Sequence, residues 1–427
     1  MHVVVIGGGV VGVTTALELN GAGHEVTVVD SRPGPGQGTS YANAGLVTAG
    51  HAEVWAGPSA PRTALKGWGR ASAPVRFRLL PDPGQWRWMA RFLRNCTEER
   101  WQRHSRLSIR LSAYSLSLLQ ALRAETGIDY DHQDKGLLMI SQDARVLEGW
   151  HGLVDLVRGE GLAAHLLDGP ACLDIEPALA RSTGTLAGGI HFPGDESGDC
   201  HRFTLALAAR CANQGVVFRH GEEVIGLRRE GSRLAALRTR HVGSHRPDGE
   251  ETVIEADHYV LAAGPQSPLL TRQVGLRLPI HPIKGYSATF YTDGSENIPT
   301  VSLSHLDHKM AVSRLGERLR CAGTAEFAGY DLRMDTRRMD TLLRNARLLV
   351  PEGLEVEAVE TWCGLRPATP DGLPIVGPTP LDNFTLNTGH GSMGWTMACA
   401  TARMVRASLE GLPPEFPFEG LTLARFQ

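Results

Sequence analysis

The chain has no paired-cysteine motif, no excess of either charge and no long apolar run. Its seven cysteines, an odd number in 427 residues, stand at 96, 172, 200, 211, 321, 363 and 399 without a Cys-x-x-Cys spacing. That scatter argues against a disulfide framework or a thiolate zinc site and favours reduced thiols in a cytoplasmic setting. A formal net charge of −3 offers nothing to a polyanion, so no nucleic-acid partner is expected. No stretch reaches the roughly 18 uninterrupted apolar residues of a membrane span. The opening MHVVVIGGGVVGVTTALELNGAGHEVTVVD lacks a basic leader and a small-residue cleavage site, and Glu18 breaks it, so it is not read as a signal peptide. With 42% hydrophobic and 21% charged residues, the chain has the make-up of an ordinary soluble protein. Its length suggests two domains, or one large α/β domain with an insertion.

Acidic residues are scarce in one region. Between Arg62 and Arg110 twelve Lys/Arg meet only Asp82, Glu98 and Glu99, and five of the eight tryptophans (55, 68, 86, 88, 101) lie in or beside it. Basic residues interleaved with tryptophan suit an anionic membrane surface or a docking partner. A solvated helix face with its tryptophans turned inward would look the same, and the sequence leaves both readings open.

Glycine is concentrated where chemistry is expected. Residues 2–6 (HVVVI) read as a buried strand, and Gly7, Gly9 and Gly12 follow as G-x-G-x-x-G. Residues 10–20 carry a helical pattern, and GHEVTVVD reads as a second strand ending at Asp30. In this strand–turn–helix–strand context the glycines mark a dinucleotide site, with the helix N-terminus facing the pyrophosphate. Asp30, 18 residues after Gly12, suits a ribose hydroxyl and argues against NADP. After Asp30 the expected further βα units of an NAD dehydrogenase are missing. Instead SRPGPGQGTSYANAGLVTAG supplies small residues that let backbone approach a flat ring system. Near the other end, FTLNTGHGSMGWTMACATARMVRASLEG repeats the pattern: a strand at 384–387, a glycine loop at 388–394 and a helix over 395–410. Such a helix start stabilises developing negative charge. Between them, VIEADHYVLAAGPQS (253–267) reads as one strand ending in a small-residue turn, and HVGSHRPDGEET (241–252) as a polar hairpin tip.

In WCGLRPATPDGLPIVGP (362–378), Arg366 lies among apolar residues on backbone stiffened by Pro367 and Pro370, before a proline-rich turn. Its planar fork suits a carboxylate gripped through both oxygens. These segments, with TSYANAGLVTAG and DESGDCHRFT and in this order, are where the chain resembles the D-amino acid oxidase superfamily of FAD enzymes. It is most similar to bacterial D-amino acid dehydrogenases of the small-subunit type. The resemblance runs nearly end to end. It implies an α/β architecture: a discontinuous Rossmann-like FAD-binding domain (1–85, 188–275, 356–427) and a mixed-sheet α+β substrate domain (86–187, 276–355). Strands near 135–141, 285–292 and 319–327 and helices near 104–125 and 335–349 agree with it.

The resemblance also implies noncovalent FAD, since Cys363 and Cys399 do not occupy positions where relatives attach it. Cofactor contacts are expected at Gly7, Gly9, Val10, Val11, Gly12, Asp30, Ser31, Arg32, Ser40, Asn43, Ala44, Gly45 and Leu46. They continue at Val224, Ala263, Gly264, Gly364, Gly389, His390, Gly391, Ser392, Met393, Gly394, Trp395 and Thr396. Arg366 corresponds to the residue that holds the substrate carboxylate, and the Ser392 carbonyl to the one that meets the amine. His390 is expected to orient its loop rather than act as a base. The implied reaction passes a hydride from Cα to flavin N5, with hydrolysis of the imino acid and electrons going to a quinone or other carrier. A same-fold oxidase of glycine, sarcosine or D-amino acids is the alternative, and a flavin-binding regulatory subunit a further one. His51 and His308 stand where close relatives carry tyrosine, and Glu53 replaces a small residue. These polar groups point to a polar, basic or hydroxylated substrate, or a cyclic imino acid such as D-proline or hydroxy-D-proline. His305, Asp307 and His308 could ligate a metal, but flavin chemistry needs none. Localisation is expected to be cytoplasmic, with a peripheral contact on the inner face of the plasma membrane.

Overall fold

A computed structural model describes residues 1–66, 75–78, 81–242 and 251–427, with backbone only at 356–358. The hairpin tip at 243–250 and the segment carrying Trp68 and Arg70 lie outside the described residues.

The N-terminal apolar run forms strand His2–Ile6, buried on both faces and flanked by parallel neighbours Glu25–Asp30 and His258–Leu261. Parallel strands covered on both faces read as continuous Val/Ile runs, as VVVI and VTVV do. The full sheet has six strands: Ile375–Pro378, Phe384–Thr388, His258–Leu261, His2–Ile6, Glu25–Asp30 and Val217–His220, in that spatial order. All neighbours are parallel except Ile375–Pro378, which is antiparallel at the edge. Helices Val10–Gly21, Cys200–Asn213, Gly394–Glu410 and the 29-residue Glu98–Thr126 share one apolar core with this sheet. The long helix starts at a Thr97 cap and stops at Gly127, which takes the left-handed conformation at φ 65°.

A second, nine-stranded mixed sheet runs Leu354–Ala368, His281–Thr292, Arg318–Phe327, Met310–Leu315, Ser302–His305, Leu137–Ser141, Gly188–Phe192 and His165–Asp168, with Val75–Phe77 pairing beside Arg318–Phe327. Helix Thr336–Leu349 shares the apolar cluster on this sheet. The pairing brings Val75–Phe77, Gly188–Phe192 and most of Leu354–Ala368 into this sheet from segments expected in the cofactor domain. One local expectation needs correction. The run 253–267 is two strands, Thr252–Ile254 in a separate three-stranded sheet and His258–Leu261 in the six-stranded one. The break falls where the Ala256 amide donates to Tyr259 Oη at 2.9 Å. Arg366 and Pro367 end a 15-residue strand, and the turn expected after them follows at Thr369–Gly372. Proline is tolerated there because the strand is the sheet edge and its opposite residue is Pro282, which also lacks an N–H.

Candidate active site

The glycine-rich segments converge because each leaves the carboxyl end of a neighbouring parallel strand. Gly7–Gly9 follow His2–Ile6, Asp30–Arg32 end and follow Glu25–Asp30, Ala262–Gly264 follow His258–Leu261, and Gly389–Gly391 follow Phe384–Thr388. That edge of an open α/β sheet is where ligands bind. Gly7 has φ 114°, and a Cβ on it would lie 2.5 Å from the Ala262 carbonyl oxygen. One on Gly12 would overlap the Gly7 carbonyl. The Gly8 amide donates to Asp30 Oδ2 at 2.5 Å and the Arg32 amide to Oδ1 at 2.7 Å, which aims the Asp30 carboxylate. Ser40 Oγ accepts from the Val10 amide at 3.0 Å, joining the next loop to the helix start. That loop is itself held by the larger sheet: Ser287 donates to the Ala42 carbonyl at 2.7 Å and Ser313 to that of Ala44 at 2.8 Å.

Arg366 points into a cavity walled by Val54, Trp55, Trp88, Phe92, Ile283 and Met393 and bordered by Glu53 and Ser392. Its guanidinium lies in a notch cut by two backbone features. Gly285 leaves room, since a Cβ there would lie 2.2 Å from Nη1. Opposite it the register slips between Lys284 and Tyr286, so that Thr324 and Ala325 bulge out. Thr324 takes φ 61°, unusual for a β-branched residue, and its carbonyl accepts from Arg366 Nη1 at 3.1 Å. The Trp55 ring covers the group at 5.7 Å. Among the described residues no carboxylate pairs with Arg366, and burial alone pulls its pKa down to about 10.

The Gly389–Met393 loop is pinned to the same strand. The Gly391 amide donates to the Pro367 carbonyl at 2.9 Å, and His390 bridges to Ala368. Gly389 and Gly391 have φ 79° and 58°, which lets the loop double back against Pro367 and Ala368. Ser392 is exposed on the cavity rim. His390 is buried with Nε2 3.2 Å from Thr401 Oγ1, and burial drives its pKa down to about 3. A neutral ring tied to a helix hydroxyl orients the loop; it is not poised to take up a proton.

The profile of a family described as DAO, FAD dependent oxidoreductase, matches residues 2–408. The chain belongs to this family. It is 47% identical to a D-amino acid dehydrogenase of Paramagnetospirillum magneticum over all of this chain and 99% of that protein. Its identity to the D-amino acid dehydrogenase of Methylobacterium nodulans is 43%, over the same shares. Among solved structures, glycine oxidase from Geobacillus kaustophilus superposes with a TM-score of 0.75 at 24% identity, covering 99% of this chain and 98% of that one. L-proline dehydrogenase from P. horikoshii gives 0.72 at 19%, covering 100% and 97%. At those identities the two structures establish the fold.

The residues of this FAD dependent oxidoreductase fit its cofactor. The side-chain-free cradle at Gly7 and Gly12, the amides opening helix Val10–Gly21 and the aimed Asp30 carboxylate suit a pyrophosphate and a ribose. Val11 sits in the first turn of that helix, and exposed Ser31 and Arg32 follow Asp30. Val224 packs against the apolar cluster on the other face of the six-stranded sheet. Asn43 turns the next loop by accepting from the Gly45 amide at 3.1 Å, and Leu46 leads into a short strand. Ala263 and Gly264 leave the central strand, and Cβ space at Gly264 and Gly391 is open. Gly394 opens helix Gly394–Glu410, with Trp395 and Thr396 buried in its first turn. Thr396 Oγ1 accepts from the Thr48 amide at 3.3 Å. Gly364 is different: a Cβ there would strike the Trp362 ring at 2.0 Å, so its glycine serves strand packing.

His51 and His308 do not line the Arg366 cavity. His51 stands behind Glu53, with Nδ1 2.9 Å from Oε1 and Nε2 3.3 Å from Ser304 Oγ. Burial would lower the His51 pKa, but the Glu53 charge and hydrogen bond, with Asp195 behind, leave it raised. Asp195 binds the turn below, accepting from the Ala49 and Gly50 amides at 2.8 and 3.0 Å and from the Thr48 hydroxyl. His308 is half-buried with its ring 4.3 Å from that of His305, and burial lowers its pKa. Sequence reasoning missed Gly285, Thr324, Trp88, Phe92 and Ile283. Only Gly285 carried a signal, a glycine at the head of the strand-like run 285–292; the strand in fact begins at His281, which puts this glycine in its interior, where it marks a close approach.

Proposed function

We propose that this protein is an FAD-dependent D-amino acid dehydrogenase that oxidatively deaminates D-amino acids and passes the electrons to a quinone or another carrier. The observation that carries it is Arg366, a guanidinium with no carboxylate partner among the described residues, notched into a cavity beside the glycine loop. The D-amino acid dehydrogenase name of its relatives over the whole length supports the same reading. Bound FAD supplies the hydride acceptor. Arg366 grips the α-carboxylate through both oxygens, which fixes the direction of the Cα–H. The Ser392 carbonyl, on a loop pinned to Pro367, receives the substrate amine. The imino acid released hydrolyses in water.

The outer face of helix Pro83–Asn95 supports a contact with the inner face of the plasma membrane. Trp86 and Leu93 are exposed beside Arg87 and Arg94, while Trp88 and Phe92 turn inward to wall the cavity. Among the described residues no helix is long and apolar enough to cross a membrane. Docking by that face would bring the cavity close to a lipid-soluble acceptor.

Purified protein should be yellow, release FAD on denaturation and bleach anaerobically with D- but not L-amino acids. A dye or quinone should then be reduced much faster than oxygen. Bleaching by L-enantiomers alone would defeat the substrate assignment, and stoichiometric peroxide at the dye-reduction rate would make it an oxidase.

A further inference from the structure

One acidic side chain borders the same cavity as Arg366. Glu53 is 9% exposed, and its carboxylate meets His51 Nδ1 at 2.9 and 3.0 Å. His51 is held at both ring nitrogens, by Glu53 and by Ser304 Oγ, so the acid cannot swing away without breaking that chain. A carboxylate accepts at about four lone-pair positions, and one ring N–H leaves most of them unused. No Lys or Arg nitrogen among the described residues pairs with it. Lys309 is near enough to feel its charge, but its ammonium lies over the Trp150 ring at 5.4 Å. Much of the cavity wall is apolar, Val54, Trp55, Trp88, Phe92 and Ile283, with Ser108, Thr369 and Ser392 among them. An acid in such a wall bears a desolvation penalty that an incoming cation relieves. Aromatic faces meanwhile suit a methylene stem.

We propose that Glu53 receives a positively charged substrate side chain, so that the enzyme prefers D-amino acids of lysine, ornithine or arginine chemistry to their apolar isosteres. This rests on the reading above, in which Arg366 takes the α-carboxylate. The cavity then holds a dibasic substrate between two opposite charges, Arg366 and Glu53, with His51 as the positioning residue for the acid.

The test compares D-lysine with D-norleucine, which has the same stem and lacks only the terminal ammonium. With the FAD-loaded enzyme and a dye acceptor, kcat/KM should favour D-lysine by about tenfold to a hundredfold, the range of a hydrogen bond to a charged group. Glu53→Gln should bring that ratio close to one, and Glu53→Asp should recover part of it. A second measurement needs no turnover: by calorimetry, 6-aminohexanoate should bind wild type about tenfold more tightly than hexanoate, and Glu53→Gln should erase the difference. A wild-type ratio near one overturns the proposal. So does a Glu53→Gln variant that loses both substrates by the same factor, which would assign the acid to the α-ammonium or to folding. Turnover of both amino acids without preference defeats this inference alone; turnover of neither defeats the underlying reading of the site.

Discussion

Arg366 is held where burial normally demands a counter-charge, and the described residues supply none. The Thr324 carbonyl accepts from Nη1 and the Trp55 ring lies over the group, which leaves most of its five donors without a partner among the described residues. A lysine there would keep the charge but lose the planar fork, so Arg366→Lys should fold and bind FAD while losing most of its activity. Breaking a buried charge pair costs about 3–5 kcal/mol. At about 1.4 kcal/mol per decade, kcat/KM should fall by roughly a hundredfold to a few thousandfold. Steady-state kinetics on a good D-amino acid would check this, with the corresponding amide as control because it lacks the carboxylate. Near-normal kcat/KM for the free acid would make Arg366 a structural residue. His390, by contrast, is neutral over the working pH range, since its pKa near 3 lies far below it. Its titration should be absent from the pH–rate profile.

The notch at Arg366 belongs to strands rather than to any one residue. His281–Thr292 supplies the gap at Gly285, Arg318–Phe327 supplies the bulge at Thr324, and edge strand Leu354–Ala368 lays the guanidinium between them. A Gly285→Ala methyl would meet the far end of a flexible side chain, not backbone. The strand should therefore survive. Gly285 is not at positive φ, so the substitution also removes unfolded-state freedom worth about 0.4–1 kcal/mol. The expected outcome is an unchanged or slightly raised melting temperature with the guanidinium displaced and KM for D-amino acids raised at least about tenfold, a loss of about 1.4 kcal/mol. Parallel melting and kinetic measurements decide it. A Gly285→Ala enzyme with wild-type KM would show that the guanidinium needs no notch.

Over the whole molecule a net charge of −3 conceals an uneven surface. Helix Pro83–Asn95 places arginines and exposed Trp86 and Leu93 on one face and cavity-lining Trp88 and Phe92 on the other. The two readings of the basic region therefore divide within one helix: some tryptophans turn inward, others stay in solvent. If the outer face docks on anionic lipid, co-sedimentation with phosphatidylserine-containing vesicles should be strong at low ionic strength. It should weaken steeply toward about 1 M salt, as the screening length shrinks from about 10 Å at about 0.1 M to about 3 Å. No binding at low salt would leave that face simply solvated.

The sequence by itself determined the elements whose cause is local. Gly7, Gly9 and Gly12 between a Val/Ile run and a helical pattern specify a strand–turn–helix unit, because the turn conformation and the helix start depend on neighbouring residues alone. The helices expected near 104–125 and over 395–410, which run Glu98–Thr126 and Gly394–Glu410, were legible for the same reason, and the order of motifs was enough to recognise the family. Only the tertiary structure decided the rest. Residues 362–368 lead into a proline-rich turn, and nothing local marks them as strand. They become strand because His281–Thr292 pairs with them from far earlier in the chain, and no local pattern records that pairing. The same holds for the notch, where Gly285, Thr324 and Arg366 meet from three separate strands. Glu53 was visible as an unusual polar residue, but its place in the Arg366 cavity depends on how the loop after Val47 packs against strand Ser302–His305 and helix Pro83–Asn95. Local backbone preferences act over a few residues and can be read along the chain. Side chains converge on a site through packing between distant segments, and that is set only when the sheets assemble.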